Sequence, residues 1–320
     1  MQFRSILDAD LDRVLDWTVT EPVAWISADR YREESAAGQF RPEWTWIAQE
    51  DGRVLARALW WGRSDSVHPL ALDCLSVHES VADPASLAAE LLAAGHRAFT
   101  ELGATELPKY TVMLPSGGPD VSDDAAAKAL AAAVGWRAEA AGRAGLSERL
   151  ERLRFEWTPQ AGTREPSGRL VFTPEPDDEA MVAVFRRIAE GSLDAETLAN
   201  VASMGVEEAA RDDLAFYLDC PGERDWWRLV HTPDGRLAGL AIPSRTPYGP
   251  NVGYLGVVPE LRGQGFIDDI LAEITRFHAT AGAERITATT DSTNFPMAAA
   301  FRRAGYHLTE TRVVLSAPGH

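Results

Sequence analysis

Gly253–Phe266 reads GYLGVVPELRGQGF, and the helix-like run FIDDILAEITRFH starts at its last residue. The apolar run up to Val258 has the length and β-branched content of a strand. Pro259 ends it, because proline has no N–H to give to a ladder. Arg262-Gly263-Gln264-Gly265 then leads directly into a segment with apolar residues three and four apart, an amphipathic helix. Two glycines between a strand and a helix N-terminus leave several backbone N–H groups unpaired and unshielded. With the helix dipole they form a cradle for phosphate oxygens, and Arg262 adds a fork of donors. The dinucleotide fingerprint would need a third glycine where Asp268 stands, and the Gly-Lys-Ser/Thr of an ATP loop is absent. On these residues alone, a plain tight turn stays open as the alternative.

Working outward, the chain repeats itself. Trp44–Ala56, WTWIAQEDGRVLA, resembles Trp227–Gly239, WRLVHTPDGRLAG, at an offset of 183 residues. Each has Asp-Gly between apolar runs, the strongest short hairpin signal. Leu75–Leu92 matches Leu255–Ala272 at an offset of 180 as strand, loop and helix, and Val134-Gly135-Trp136 matches Ala304-Gly305-Tyr306 at 170, each closing an Ala-rich helix. Three anchors in one order predict one fold used twice. Each copy reads as a strand, one or two helices, a hairpin, a third strand, a helix, a strand, a helix beginning near Asp123 in the first copy, and final strands. The alternation makes the chain α/β. Thr158–Gly168, TPQAGTREPSG, has no periodicity and marks a junction. The expected domains are 1–158 and 169–320, with a linker over 159–168. At the cradle, the first copy has Ala82-Asp83-Pro84-Ala85, with a proline lacking a donor and an acid against any phosphate, so it is a degenerate copy.

Length and charge agree with this division. A chain of 320 residues favours two domains, and 45% hydrophobic with 25% charged residues is an ordinary globular composition. The net charge is −17 and neither half has a basic surplus, which argues against nucleic acid as a partner and favours cationic small molecules. The first residues carry charge too early for a signal peptide, no apolar run reaches the ~18 residues of a membrane span, and the two cysteines, Cys74 and Cys220, build neither a disulfide framework nor a metal site. The expectation is a cytoplasmic protein, monomer or homodimer, without membrane contact.

VPELRGQGFI, followed by TDSTNFPMAAAFRRAGY, resembles the GNAT superfamily of N-acetyltransferases. The likeness covers Trp226 to about Val314; the first copy shares only the order of elements and its closing Gly-Trp. It implies two tandem GNAT-like domains, each a mixed, mostly antiparallel central sheet flanked by helices. Acetyl-CoA is then the co-substrate, with no metal. Arg262 and Gly265 fit the family pattern, whereas Ile267 stands where a small residue is usual. The resemblance implies that the backbone N–H groups of Gly263, Gln264, Gly265, Phe266 and Ile267 hold the CoA pyrophosphate. It implies that Val257 and Val258 pair with the pantetheine arm through their backbone where two strands splay, and that Asn294 lies near that arm.

Acetyl transfer needs a neutral amine, so a base or an ordered water must take a proton from the ammonium. In the family the base often stands on the fourth strand, and the alternate positions there are Gly249, Asn251, Gly253 and Leu255. None ionises; Asn251 is the candidate for ordering a water. The family's acid, a tyrosine seven residues after the asparagine, is here Phe301. Tyr217, in the helical region that caps the acceptor site in the family, is the other catalytic candidate, and Asp291 is expected to cap the last helix. The favoured function is acetyl-CoA-dependent N-acetylation of a small-molecule amine. Ile267, Phe301 and the empty strand face support the alternative, a non-catalytic acyl-CoA-binding or interaction protein.

Overall fold

Alternating apolar residues with hairpin turns build the strands, and capped amphipathic runs build the helices between them. The structure, a computed structural model, describes residues 1–24, 26–115 and 124–319, which fall into two compact units. Unit 1 comprises Met1–Leu150 and Thr311–His320, and unit 2 comprises Glu151–Glu310.

In unit 1, β1 (Gln2–Ser5), α1 (Leu11–Leu15) and α2 (Ala28–Ala36) precede the hairpin of β2 (Phe40–Glu50) and β3 (Arg53–Trp61). Asp51 and Gly52 both take positive φ, 48° and 77°, as the expected two-residue turn requires. Next come β4 (Ala71–Val77), α3 (Pro84–Glu101), β5 (Lys109–Pro115) and α4 (Asp124–Arg143), before β6 (Glu148–Trp157), which passes into unit 2 at Glu151. The start of α4 expected near Asp123 lies outside the described residues. The sheet is antiparallel except where β4 and β5 pair in parallel.

In unit 2, β7 (Val171–Pro174), α5 (Asp178–Ala189), α6 (Ala195–Met204), α7 (Val206–Asp219), β8 (Arg228–His231), β9 (Leu237–Thr246) and β10 (Gly249–Val257) follow. Then come α8 (Phe266–Thr280), β11 (Ile286–Asp291), α9 (Phe295–Arg303) and β12 (His307–Ser316). Here too the sheet is antiparallel apart from the parallel pair of β10 and β11. One architecture is therefore used twice. No helix among the described residues is long and apolar enough to cross a membrane.

Two sequence expectations are corrected. The third repeat anchor, Gly135, lies inside α4, which runs on to Arg143; the residue equivalent to Gly305 is Gly145, and both take positive φ, 97° and 83°, after a helix end. A high alanine content hid where the helix stops. The bounds at 158 and 169 also shift, because the closing strands are exchanged. β6, from the first copy, pairs antiparallel with β11 from Ile286↔Trp157 to Asp291↔Arg152 and buries Phe155 and Trp157 in the core of unit 2. The end of β12, from the second copy, lies beside β5 and buries Val313 and Leu315 in the core of unit 1. The stretch 159–168 thus lies within unit 2 instead of between units.

Candidate active site

β10 and β11 share a single register pair, Asn251↔Thr287, and beyond it they diverge. The edge of β10 facing this gap is left without ladder partners, which suits it to pair with an extended, amide-bearing ligand. The gap opens into a cleft of about 830 Å³ whose lining, among the described residues, belongs to unit 2. α8 and its loop close one end, and α6 and α7 overhang the other.

The loop between β10 and α8 turns on two glycines. Gly263 and Gly265 take φ of 76° and 77°, and Gly265 is the N-cap of α8. A Cβ on Gly263 would meet open space, and one on Gly265 would meet only Arg169, at 3.9 Å. The amides of residues 263–267 find no acceptor among the described residues, so five N–H groups stand at the mouth of the cleft. Gly263, Gly265, Phe266 and Ile267 line it, as do Val257, Asn294 and Arg262.

Arg262, however, is not a free phosphate donor. Its Nε donates to the carbonyl of Val257 at 3.0 Å, Nη1 to those of Glu190 and Gly191, and Nη2 to that of Ile188 at 2.7 Å. The guanidinium ties the C-terminal end of α5 to the end of β10 and so fixes the loop's shape. Arg262→Lys keeps the charge but cannot reach these carbonyls together. Acetyl-CoA affinity measured by calorimetry is expected to fall at least tenfold in this variant; unchanged affinity would mean that charge alone is needed. On the other flank Arg169 donates to the Gln264 carbonyl, pairs with Asp269 at 3.2 Å and lies over the Phe266 ring.

Two backbone candidates stand apart. Val258 is fully buried, with its N–H on the Ala238 carbonyl, and the Gln264 side chain is not part of the lining. Asn294 lines the cleft while its Oδ1 caps α9 through Met297 N. Asp291 does not cap that helix. Its buried carboxylate accepts from Ala195 N at 2.7 Å and pairs with Arg152 at 3.3 Å, which ties the start of α6 to the sheet.

The expected strand face is displaced as well. Pairing of β10 with β9 shifts register between Val252 and Tyr254, a bulge at Gly253. One extra residue reverses the alternation, so Tyr254 and Gly256 face α5 and α7. The Tyr254 ring lies 5.0 Å from that of Phe185 and 5.6 Å from that of Tyr217, and a Cβ on Gly256 would come within 2.6 Å of Ile188. Asn251 does not line the cleft: its Oδ1 accepts from Thr287 at 3.0 Å and its carbonyl faces His278 Nε2 at 3.0 Å. Tyr217 does line it, stacked on Phe185. Neither phenol hydroxyl has a protein partner among the described residues. Burial, reinforced by the charge of Asp213, holds both phenols far above their ordinary pKa, so they stay protonated donors. Phe301 is 1% exposed, wedged against Phe155 and Tyr306, with one edge on the cleft.

The end of the cleft beneath α6 and α7 is acidic. Asp194, Glu196, Asp212 and Asp213 line it, and Arg152 pairs with Asp194 and Glu196 at 3.9 and 3.6 Å. Asp213 was not singled out in the sequence, because nothing local separates it from the other acids of α7. The equivalent gap in unit 1 is filled by its own chain. Arg137, 1% exposed, donates to the Leu75 carbonyl on β4 and to Glu21, which also accepts from Trp136 Nε1, and Ala24 N bonds to the Met113 carbonyl on β5.

Residues 196–306 match the acetyltransferase (GNAT) family. Among solved structures, a GCN5-related N-acetyltransferase from Sphaerobacter thermophilus is 16% identical, with 98% of this chain and 94% of that chain covered at a TM-score of 0.55. A glucosamine N-acetyltransferase region in a fungal multi-domain β-N-acetylglucosaminidase is 14% identical, covering 98% of this chain and 38% of that one at 0.50. A tandem GNAT protein from the clavulanic acid biosynthesis pathway is 18% identical over 100% and 98% of the two chains at 0.45. At identities this low, the first two likenesses show a shared fold alone. No curated protein matches the chain.

Proposed function

Residues 196–306 being a domain of the GNAT acetyltransferase family, we propose that unit 2 is an acetyl-CoA-dependent N-acetyltransferase acting on a small cationic amine. The observation that carries this reading is the row of free amides from Gly263 to Ile267, opening onto the unpaired edge of β10. Five N–H donors at a helix N-terminus suit a pyrophosphate. The strand edge next to them suits the amide-bearing pantetheine arm, which would carry the thioester toward the aromatic and acidic end of the cleft. There the amine attacks the thioester carbonyl directly: the C–N bond forms, the C–S bond breaks, and CoA leaves as thiol.

The acceptor class follows from the lining. Four carboxylates against Arg152 leave a negative field that concentrates cations, and exposed Leu193 and Phe216 on the same wall suit an apolar body attached to the amine. Unit 1, with its gap closed by Arg137 and Glu21, takes no part in CoA binding on this reading.

The test is calorimetric binding of acetyl-CoA beside release of free thiol with a panel of aliphatic and arylalkyl amines. Tight binding with turnover of cationic amines is expected. One observation favours a second reading, a non-catalytic acyl-CoA-binding protein: the usual acid position holds Phe301, an apolar ring. Binding without thiol release across the panel would favour that reading. No binding at all would overturn both.

A further inference from the structure

Deepening the acetyltransferase reading, and resting on it, we propose that Asp213 is the catalytic residue that takes the proton from the incoming ammonium. α7 carries Asp213 and Tyr217 four residues apart, so both side chains share one helix face. That face looks into the cleft, where both residues are in the lining. Tyr217 is held by stacking on Phe185 and by the edge of Tyr254, and the charge of Asp213 acts on both phenols. Asp213 is half-buried and makes neither a hydrogen bond nor an ion pair among the described residues. It is the contrast with its neighbours that selects it. Asp194 and Glu196 are paired with Arg152, Asp194 also caps α6, and Asp291 is spent on Ala195 N and Arg152. Asp212 lines the cleft but is exposed to solvent. Among the described acids lining the cleft, only Asp213 combines partial burial with a carboxylate that has no partner.

Its surroundings suit the task. The groups coupled to it are Asp212 and Tyr217 on its own helix, Asp194 and Glu196 at the start of α6 and Tyr254 on β10, and Arg152 on β6 pairs with Asp194 and Glu196. Burial, then the negative charges of Asp194, Glu196 and Asp212, push the Asp213 carboxyl up to about 6, and Arg152 is already committed to other acids. A carboxylate with that basicity is mostly ionised at neutral pH, yet far more basic than an ordinary aspartate, as a proton acceptor should be. In the reaction one ammonium proton passes to Asp213 and then to solvent, and the freed lone pair forms the C–N bond. The C–S electron pair leaves with sulfur, and the second nitrogen proton ends on the thiol. Acetyl-CoA and the ammonium thus give the N-acetyl amine, CoA thiol and one released proton.

The experiment compares the pH profile of turnover in the full chain, with Asp213→Asn and Asp213→Glu beside it, using whichever panel amine the wild type acetylates. For the wild type, kcat/KM should fall below a pH near 6. Asp213→Asn should lose about 10²–10⁴-fold in kcat, bind acetyl-CoA as before, and lose the acid limb, while Asp213→Glu recovers part of the rate. Thermal unfolding gives a second readout. The folded-state carboxyl holds its proton more tightly than the unfolded one, so its ionisation costs stability as pH rises through about 6. Asp213→Asn should therefore melt higher than wild type at pH 7.5, with that advantage gone near pH 4. An Asn variant that keeps kcat within threefold, with the acid limb intact, overturns the assignment. A wild type that binds acetyl-CoA but acetylates no panel amine overturns the acetyltransferase reading itself, and the assignment with it.

Discussion

Gly265→Asp is expected to weaken acetyl-CoA binding by at least 100-fold while unit 2 remains folded. The position is the N-cap of α8, with φ of 77°, and its amide belongs to the free row on the cleft. A side chain here projects into space that a Cβ would enter almost unopposed, so little protein must move. The left-handed conformation costs a non-glycine residue about 1–2 kcal/mol, at the low end for aspartate. That is a shift of a few degrees in melting temperature for a domain this size. The charge is the larger effect, since it lies where a pyrophosphate must be. Gly265→Asn carries the same shape without charge and separates strain from repulsion. Calorimetry with acetyl-CoA decides: wild-type affinity in the Asp variant would remove the phosphate cradle from the argument. The matched change in unit 1 is best made at Ala82, which is exposed, because Ala85 is buried in the first turn of α3 and would report on stability instead. Ala82→Asp should leave acetyl-CoA affinity untouched.

A chain ending at Glu310 should lose cooperative unfolding of unit 1. The missing residues supply the strand beside β5 and two core side chains, Val313 and Leu315, each 2% exposed or less. Removing one large buried aliphatic side chain costs about 2–5 kcal/mol, and a domain's whole stability is about 5–15 kcal/mol. The truncation also uncovers the edge of β5, a template for aggregation. Limited proteolysis should cut within residues 1–150 at protease levels that leave the full chain intact. Leu315→Ala is the milder arm, expected to lower the melting temperature without abolishing the transition. A truncated chain with unchanged protection would mean that β12 is dispensable to unit 1.

The local signals in the sequence were enough for the tandem architecture and for a Gly-x-Gly turn leading into a helix. The strand–Pro–Gly-x-Gly–helix series is written in consecutive residues, and so is the Asp51-Gly52 turn. What stayed hidden depends on partners far along the chain or on a change of one residue in register. Phe155 and Trp157 alternate as they would in any strand, and nothing local states that they belong beside β11. Gly253 carried a usable signal, since glycine inside a strand often marks a bulge. Taken as a regular strand, β10 presents Asn251 and Leu255; with the bulge it presents Tyr254. Arg262 fitted a pattern whose obvious meaning was a phosphate contact. Its donors were taken by carbonyls of residues 188–191, some seventy positions earlier, which only the fold brings together.

The exchanged strands also set an order of events during synthesis. Thr311–Ser316 follows the whole of unit 2 along the chain, so residues 1–150 leave the ribosome with one side of β5 still bare. Unit 2 has the opposite schedule, since β6 is already present when β11 emerges. Unit 2 can therefore close its sheet first, and unit 1 matures last, waiting on contacts of very long sequence separation, which form slowly. A chaperone that shields one bare strand edge would have its use in that interval.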